Sequence, residues 1–140
     1  MKQNKTAGYS GTPLEKKLGI KEGNTIKIVN PPEGYFQLFT ETPKNLKEIT
    51  DPEAKKDFIH FFAESTEDLM GNIKQLHQEL KQQGALWISW PKKASKKVTD
   101  LNGNVVRSIA LENGLVDIKV CAVNEIWSGL KFVIPVKNRT

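Results

Sequence analysis

Apolar residues along this chain fall into short runs separated by polar segments. Six runs have the length and composition of strands, and they lie at 24–29, 46–50, 58–63, 85–90, 117–123 and 130–136. The third and fourth runs are almost continuously apolar, as is expected of strands covered by helices on both faces. The last two alternate apolar and polar positions, so they predict a hairpin with residues 124–129 as its connection.

Helical spacing follows two of these strands. Ser65 predicts an N-cap, and the apolar residues after it recur at helical intervals until Gly84. A second helix is predicted after Thr99 or Asp100, either of which is suited to cap it, and Gly114 stands just past its end. The middle of the chain therefore alternates strand and helix.

The segment before the first strand predicts a short helix. Thr12 is expected to be its N-cap, Pro13 its first residue and Glu15 the second half of a capping box, with Gly19 as the stop. The aromatic residues of 33–40 have a spacing that is compatible with another short helix. Both features are local connections between larger elements.

Alternating strands and helices predict an α/β protein with a mainly parallel sheet and right-handed crossovers. We expect a three-layer sandwich of six strands in the order 2-1-3-4-6-5, ending in an antiparallel hairpin. This arrangement looks like a shortened version of the methyltransferase-type Rossmann sheet, and the likeness concerns the fold only. Residues 8–136 are expected to form one domain, between a flexible N-terminus at 1–7 and a tail at 137–140.

Length and composition agree with one soluble domain. A chain of 140 residues can bury a single core, and 38% hydrophobic with 26% charged residues suggests neither disorder nor a fibrous protein. No apolar run approaches the roughly 18 to 20 residues that span a bilayer, and the N-terminus is polar, so we expect a cytoplasmic protein. The single cysteine, Cys121, argues against an internal disulfide and a zinc knuckle.

The formal net charge of +5 and the pI near 9.3 favour polyanions only in a general way. Lysines are spread over the chain, and the densest group is Lys92, Lys93, Lys96 and Lys97, which a solvated loop also explains. No recognition helix or stripe of aromatic and basic residues accompanies them. Nucleic-acid binding is therefore not expected.

Four segments carry a family resemblance. They read YSGTPL at 9–14, LWISWPKK at 86–93, GLVDIKVCAV at 114–123 and WSGLKFV at 127–133. In this order, and over most of the chain, they resemble a family of uncharacterised bacterial proteins known only as a domain of unknown function. The resemblance implies a bacterial origin, but it supplies no activity, cofactor or catalytic residue.

The loop after the first strand bears on cofactor binding. Rossmann sheets hold a dinucleotide or S-adenosylmethionine with a glycine-rich turn at this point, where backbone N–H groups approach the cofactor. Here the strand is followed by Asn30, Pro31, Pro32, Glu33 and Gly34. The two prolines lack N–H donors and one glycine remains, so neither cofactor is expected. No phosphate-binding loop motif occurs elsewhere, and we predict no cofactor.

Ligands of open α/β sheets bind beyond the carboxyl ends of the strands, near the point where strand order reverses. The preferred candidate there is the set Trp90, Pro91, Lys92 and Lys93, which combines an aromatic face, a rigid proline and two cations. Such a set suits an anionic or planar ligand. The structural alternative is that Trp90 completes the core and the lysines are solvated. Asn30, at the end of the first strand, is a further candidate.

Two more segments are candidate binding sites. Ser10, Gly11 and Thr12 precede a helix, where hydroxyls and backbone N–H groups can hold a phosphate or carboxylate, although helix capping explains the same residues. Trp127 and Ser128 lie in the expected hairpin connection and could form a small binding lip. Alternatively, Trp127 folds back over the sheet edge.

The histidines and the cysteine do not form a catalytic or metal set. His60 and Cys121 each lie within a strand pattern, where packing is the ordinary role, and His77 lies on the long helix. Two histidines without matching carboxylate or cysteine spacing form no metal site. We therefore predict no metal.

The missing catalytic set leads to a first hypothesis of function, a non-catalytic binding module for an anionic small molecule or an acidic protein segment. Weak nucleic-acid binding is a minor alternative. The other alternative is an enzyme whose site is assembled from strand ends. Its candidate residues are Asn30, Glu33, Glu64, Ser89, Lys92 and Asp100.

Overall fold

The structure of the protein is a computed structural model that describes residues 11–140. The strands of its sheet are β1 (Thr25–Val29), β2 (Lys47–Glu48), β3 (Lys56–Phe62), β4 (Leu80–Pro91), β5 (Val116–Ala122) and β6 (Trp127–Val133). They lie in the order β2-β1-β3-β4-β6-β5. Strands β1 to β4 are parallel, and β5 and β6 add an antiparallel hairpin. The predicted fold class and strand order are confirmed.

Helices cover both faces of the sheet, which makes three layers. The helices are α1 (Leu14–Leu18), α2 (Thr66–Gln78) and α3 (Gly103–Glu112), and 3-10 turns span Tyr35–Leu38, Lys93–Ser95 and Val136–Asn138. Helices α2 and α3 pack on one face, and α1 packs on the other together with the first 3-10 turn. Within the described residues, no helix is long and apolar enough to cross a membrane.

Alternate residues of the central strand enter two different cores, which explains its continuous apolar character. In β3, Ile59 and Phe61 pack with α2 and α3, whereas Phe58 and Phe62 pack with α1. All of them are at most 1% exposed. Strand β3 therefore lies at the centre of the molecule.

The second helix ends earlier than its sequence pattern predicts. Ser65 is the N-cap, as expected, and its hydroxyl accepts a hydrogen bond from a backbone N–H of the first turn at 3.0 Å. Leu80, however, begins β4 and pairs with Lys56. Gly84 is not a helix stop either, because it lies within β4. Close packing explains the glycine there, since a Cβ would lie 2.9 Å from the carbonyl oxygens of Lys56 and Asp57. Leu80 is buried in the strand as it would be in a helix. Its apolar position therefore fitted the helical spacing and did not reveal that the chain changes from helix to strand.

The third helix is capped by a residue that the sequence pattern did not single out. Asn102 is the N-cap, and its side-chain oxygen accepts a backbone hydrogen bond at 2.9 Å. The predicted caps bind the start of α2 instead: Thr99 donates to the carbonyl of Glu64, and Asp100 accepts from Thr66 N, both at 2.7 Å. The bond to Asp100 satisfies one of the backbone N–H groups that the first turn of a helix leaves unpaired.

The first helix also differs from its prediction. The residue before it is Pro13, no side chain caps it, and Thr12 is not the N-cap. Glu15 is buried instead of closing a capping box, and its carboxylate accepts hydrogen bonds from the backbone of Thr40 and Glu41 at 3.0 and 2.9 Å. A contact distant in sequence therefore replaces the local one.

The connection of the terminal hairpin is shorter than predicted, because β6 begins at Trp127. The side-chain oxygen of Asn124 accepts hydrogen bonds from two backbone N–H groups, both at 2.8 Å, and closes the turn. Trp127 and Ser128 are thus strand residues and not part of a loop. They lie opposite Pro91 and Trp90 of β4.

Candidate functional site

The point where strand order reverses lies between β1 and β3. From β1 the chain moves to β2 on one side, and from β3 it moves to β4 on the other. In sheets of this kind, the crevice at the carboxyl ends of the two strands is the usual place for a ligand. Asn30 follows β1 and Glu64 follows β3, on neighbouring strand ends whose last pair is Val29 and Phe61. We refer to Asn30 and Glu64 as the switch-point pair.

Both side chains of the switch-point pair are exposed. Asn30 has a left-handed backbone with φ at 56°. The side chain of Glu64 is 62% exposed, and its Oε2 lies 4.0 Å from Nζ of Lys97. An amide can donate and accept a hydrogen bond, and a carboxylate can accept a hydrogen bond or a proton. Two different polar groups are thus available to a ligand at this point.

The loop after β1 does not fit an S-adenosyl or dinucleotide cofactor. Pro31 and Pro32 offer no N–H groups, and the element that follows is a four-residue 3-10 turn and not a helix. Gly34 has a left-handed backbone, with φ at 76°, and serves the turn. The turn directs Tyr35 back over the sheet, where this residue is 4% exposed. A cofactor here would find neither a glycine-rich turn nor the N-terminus of a helix.

Tyr35 forms a buried polar trio with His60 and Ser89. The phenol oxygen lies 2.8 Å from His60 Nδ1, and Ser89 Oγ lies 2.7 Å from His60 Nε2. Burial lowers the pKa of His60 to about 3, and burial together with the charge of Glu48 raises the pKa of Tyr35. Both groups are therefore neutral at neutral pH. A neutral imidazole has one donor and one acceptor nitrogen, and the two hydroxyls satisfy both.

The trio is closed to solvent. His60 and Ser89 are 0% exposed, and the ring of His60 stacks on Phe62 with 4.2 Å between the centroids. A serine and a histidine at hydrogen-bond distance resemble the start of a nucleophilic site, but a substrate must reach them. Ser89 is therefore a structural residue in this arrangement. The interpretation of His60 as a satisfied core histidine is confirmed.

The tryptophan of the preferred sequence candidate belongs to the core. Trp90 is 8% exposed, and its ring lies 3.5 Å from where a Cβ of Gly103 would stand. Pro91 is also buried, Lys92 N donates to a carbonyl of the hairpin turn at 2.7 Å, and Lys93 is exposed. The aromatic face is thus not available for stacking on a ligand, because it completes the core beside α3.

The candidate at the start of the chain is described only in part. Ser10 lies outside the described residues, and Gly11 and Thr12 are exposed ahead of α1. A role in anion binding stays a prediction for these residues. Within residues 11–140, no group of three His, Cys, Asp or Glu is arranged to hold a metal ion.

The aromatic lip predicted for the hairpin is buried. Trp127 is 5% exposed, and its ring packs 5.1 Å from that of Phe62, so it does not form an exposed lip. Ser128 is partly buried in β6. The β4–β6 ladder places both residues beside the preferred sequence candidate, but β3 and β4 separate them from Asn30. The predicted ligand residues therefore do not converge on one pocket.

A groove of about 380 Å³ lies between α2 and α3. It is mainly apolar, and Met70 in its wall is 59% exposed. The groove is lined by Thr66, Met70, Asn104, Val105, Ser108, Ile109 and Glu112.

Sequence reasoning missed a group of lysines on the α1 face, which we call the lysine cluster: Lys21, Lys119 and Lys131. Lys119 and Lys131 are direct partners across β5 and β6, and Lys21 acts electrostatically on Lys131. The pairing depends on the length of the hairpin connection. The predicted connection at 124–129 would have placed Ile134, and not Lys131, opposite Lys119.

The fold is similar to several solved structures, although no protein-family model and no curated protein matches the chain. A TehB-like SAM-dependent methyltransferase from Corynebacterium glutamicum has a TM-score of 0.57 and 13% identity, over 92% of this chain and 91% of that one. A ribosomal protein methylase from Lactobacillus delbrueckii subsp. bulgaricus has a TM-score of 0.56 and 15% identity, over 86% and 74%. A magnesium protoporphyrin IX methyltransferase from Synechocystis, with bound SAM, has a TM-score of 0.53 and 11% identity, over 87% and 74%.

The fold is Rossmann-like, of the methyltransferase type. This finding contradicts the first hypothesis of function, a non-catalytic binding module, because the similar structures are methyltransferases. That hypothesis was drawn from the missing catalytic motif, and enzymes of this fold can assemble a site from separate strand ends. At 11 to 18% identity the likeness shows the fold alone. The resemblance to an uncharacterised bacterial family stays a prediction.

Proposed function

We propose that this chain is an enzyme with a methyltransferase-like fold, whose substrate binds at the switch-point pair. The position of Asn30 and Glu64 carries the proposal, since these exposed polar side chains stand on neighbouring strand ends where the order of the sheet reverses. The likeness to methyltransferases in the whole sheet supports an enzyme. Both residues also belong to the strand-end candidates that the sequence predicts for an enzyme.

The two side chains supply different chemistry. The amide of Asn30 orients a ligand by donating and accepting hydrogen bonds, and the carboxylate of Glu64 accepts a proton as a general base. The ammonium of Lys97, 4.0 Å from this carboxylate, is placed to attract an anionic part of the substrate. Proton transfer from a bound substrate to Glu64 is the step that these residues support.

S-adenosylmethionine does not fit the loop that holds a cofactor in Rossmann sheets. Pro31 and Pro32 stand where that loop would offer backbone N–H groups, and proline has none. Tyr35 is buried against the face of the sheet behind them. No step of the proposed chemistry uses this cofactor. The proposal therefore differs from the activity of the similar solved structures, which are SAM-dependent methyltransferases.

Thermal unfolding with a panel of nucleotides, phosphorylated metabolites and small carboxylic acids tests the site. A ligand at a concentration of about 100 times its Kd raises the free energy of unfolding by about 2.7 kcal/mol. We expect at least one compound to stabilise the wild-type protein and to be converted when the mixture is followed by mass spectrometry. Asn30→Ala and Glu64→Gln should abolish both effects. Glu53→Gln changes an exposed carboxylate elsewhere and is the matched control.

S-adenosylhomocysteine belongs in the same panel, and we expect no stabilisation from it. Stabilisation by this compound would show that the β1 loop binds an adenosyl group despite its prolines. A compound that stabilises Asn30→Ala and Glu64→Gln as much as the wild-type protein would bind elsewhere in the fold. A panel without any hit would contradict a substrate of these classes.

A further inference from the structure

The lysine cluster lies on the α1 face of the hairpin, away from the switch-point pair. Lys131 is opposite Lys119 in β5 and opposite Trp87 in β4. The indole of Trp87 donates to the carbonyl of the last residue of α1 at 2.8 Å. Lys119 reaches the same helix end, where its ammonium donates to the carbonyl of Lys17 at 2.8 Å. Both lysines therefore lie beside the end of α1, at the middle of the strands.

The ammonium of Lys131 is held among other cations. It lies 3.0 Å from where a Cβ of Gly19 would stand, against the left-handed turn that ends α1 as predicted. Burial lowers the pKa of Lys131, and the charges of Lys119 and Lys21 lower it further. None of the ion pairs formed within the described residues includes a member of the lysine cluster.

The surroundings of the cluster add positive charge. Asp117, the acidic residue of β5, is paired with Arg107 at 3.0 Å. Two further lysines, Lys17 and Lys92, act on the thiol of Cys121, where burial raises the pKa overall and these cations partly oppose that rise. Lysines from four separate parts of the chain thus converge on one face, and the positive potential there attracts an anion.

We propose that the lysine cluster binds the phosphate group of a small phosphorylated ligand. Ammonium groups that lie close together repel one another, and a bound anion removes this cost. A phosphate group carries about two negative charges and three strong acceptor oxygens, so that one group can contact several lysines. A carboxylate carries a single charge and leaves the repulsion largely in place.

The compact arrangement favours a small ligand over a nucleic acid. Side chains directly opposite in an antiparallel pair have Cβ atoms about 4.5–5.5 Å apart, so Lys119 and Lys131 can reach the same group. Nucleic-acid binding instead uses a stripe of cations that follows successive phosphates along the backbone. The site is also distinct from the switch-point pair, because β4 lies between β6 and the strands β1 and β3, and Lys131 is level with Trp87 and His60, four residues before Glu64.

Isothermal titration of the full chain with pyrophosphate, at constant ionic strength, tests this proposal. We expect saturable binding that Lys119→Ala/Lys131→Ala weakens about tenfold or more, since two charged hydrogen bonds are lost. Lys74→Ala/Lys137→Ala removes the same charge from exposed positions elsewhere and should leave the affinity unchanged. Glu64→Gln should also bind normally, which separates this site from the proposed active site.

A second variant guards against a folding defect, because Lys131 is partly buried. Lys21→Ala/Lys119→Ala alters two exposed side chains, and it should also weaken pyrophosphate binding while the thermal unfolding midpoint is kept. The proposal is overturned if the wild-type protein shows no saturable binding, or if the control pair weakens binding equally. A different outcome is that a short DNA duplex binds the wild-type protein, that pyrophosphate does not, and that the same variants lose DNA binding. That result would overturn the proposal of a small ligand in favour of a nucleic acid.

Discussion

The amino-terminal end of the sheet and the lysine cluster contain lysines in opposite environments. At the sheet end, Lys27 and Lys56 both bind Glu79, with 2.9 and 2.6 Å between Nζ and Oε1. In the lysine cluster, ammonium groups lie near one another without an ion pair to a described carboxylate. The charges of the first region are paired within the chain, whereas those of the second are, on the proposal above, paired by an external anion. The difference separates a charge that stabilises the fold from a charge that is available for binding.

The sheet interior shows what burial of polar groups requires. The side chains of Lys56 and Glu79 are 0% exposed. Burial alone would raise the pKa of Glu79, but hydrogen bonds from Lys56, Gln75 and Lys27 hold that pKa below its ordinary value. The trio of Tyr35 and its partners follows the same rule with neutral groups. Among residues 11–140, no buried side-chain nitrogen or oxygen lacks a hydrogen-bond partner.

The largest effect is expected from Glu79→Gln, which removes the counter-charge of Lys56. A buried ammonium without its partner lowers the free energy of unfolding by about 3–5 kcal/mol, measured by urea denaturation. Lys81→Ala, which breaks the exposed pair with Asp57 at 3.0 Å, should cost about 1 kcal/mol or less and is the control. If the two variants lose similar amounts of unfolding free energy, burial does not make the network of Glu79 more important for stability than the exposed pair.

A smaller loss is expected where the buried pairing is neutral. Ser89→Ala leaves one ring nitrogen of His60 without a partner, which lowers the free energy of unfolding by about 1–3 kcal/mol. Tyr35→Phe should have an effect of the same size at the other nitrogen. Ser108→Ala, at an exposed position of α3, is the control and should change stability by about 0.5 kcal/mol or less. If the free energy of unfolding is unchanged in both Ser89→Ala and Tyr35→Phe, the hydrogen bonds of the trio do not stabilise the fold.

Acid should weaken the interior through His60. Its pKa is about 3 in the folded protein against an ordinary 6.5, so below 6.5 the unfolded chain binds a proton that the folded chain does not. Stability therefore decreases as the pH is lowered, by about 1.4 kcal/mol between about pH 7.5 and 5.5. The lowered pKa values of Glu79 and Asp57 act only at lower pH, since their ordinary values are 4.5 and 3.8.

Unfolding of wild type and His60→Asn at both pH values measures this effect, and the variant should lose that part of the pH dependence. The imidazole signal of His60 in NMR spectra provides an independent check. It should not titrate over this range, and a midpoint near the ordinary value would contradict a buried neutral ring.

The smallest effect is expected in the lysine cluster itself. Like charges directly opposite in a sheet are destabilising, whereas an opposite pair contributes about 0.2–1 kcal/mol. Lys119→Glu should therefore raise the free energy of unfolding while it weakens pyrophosphate binding. Lys119→Gln removes the charge and the ammonium's hydrogen bond to the carbonyl of Lys17 without adding a negative charge, and it should give a smaller gain. If neither variant is more stable than wild type, the lysines do not repel each other and the contrast with the sheet end fails.

The layers and the strand order could be predicted because local patterns carry them. Continuous apolar runs at 58–63 and 85–90 predicted two strands covered on both faces, and crossover handedness limited how they connect. The switch-point pair was predictable to the same extent, since strand ends can be located from the sequence. Burial then removed Ser89 from the candidate residues, and no local pattern indicates that loss.

Tertiary structure alone decided which polar residues meet. Lys56 and Glu79 are 23 residues apart in sequence, and Lys27 and Glu79 are 52 apart. Lys119 lies opposite Lys131 because the hairpin turn, which Asn124 closes, is shorter than the sequence pattern predicts. The sequence by itself determined elements, layers and sheet order, because burial repeats along the chain with the period of each helix or strand. It could not determine the neighbours of each charge, because hydrogen bonds and Coulomb energies depend on distance in space and not on separation along the chain.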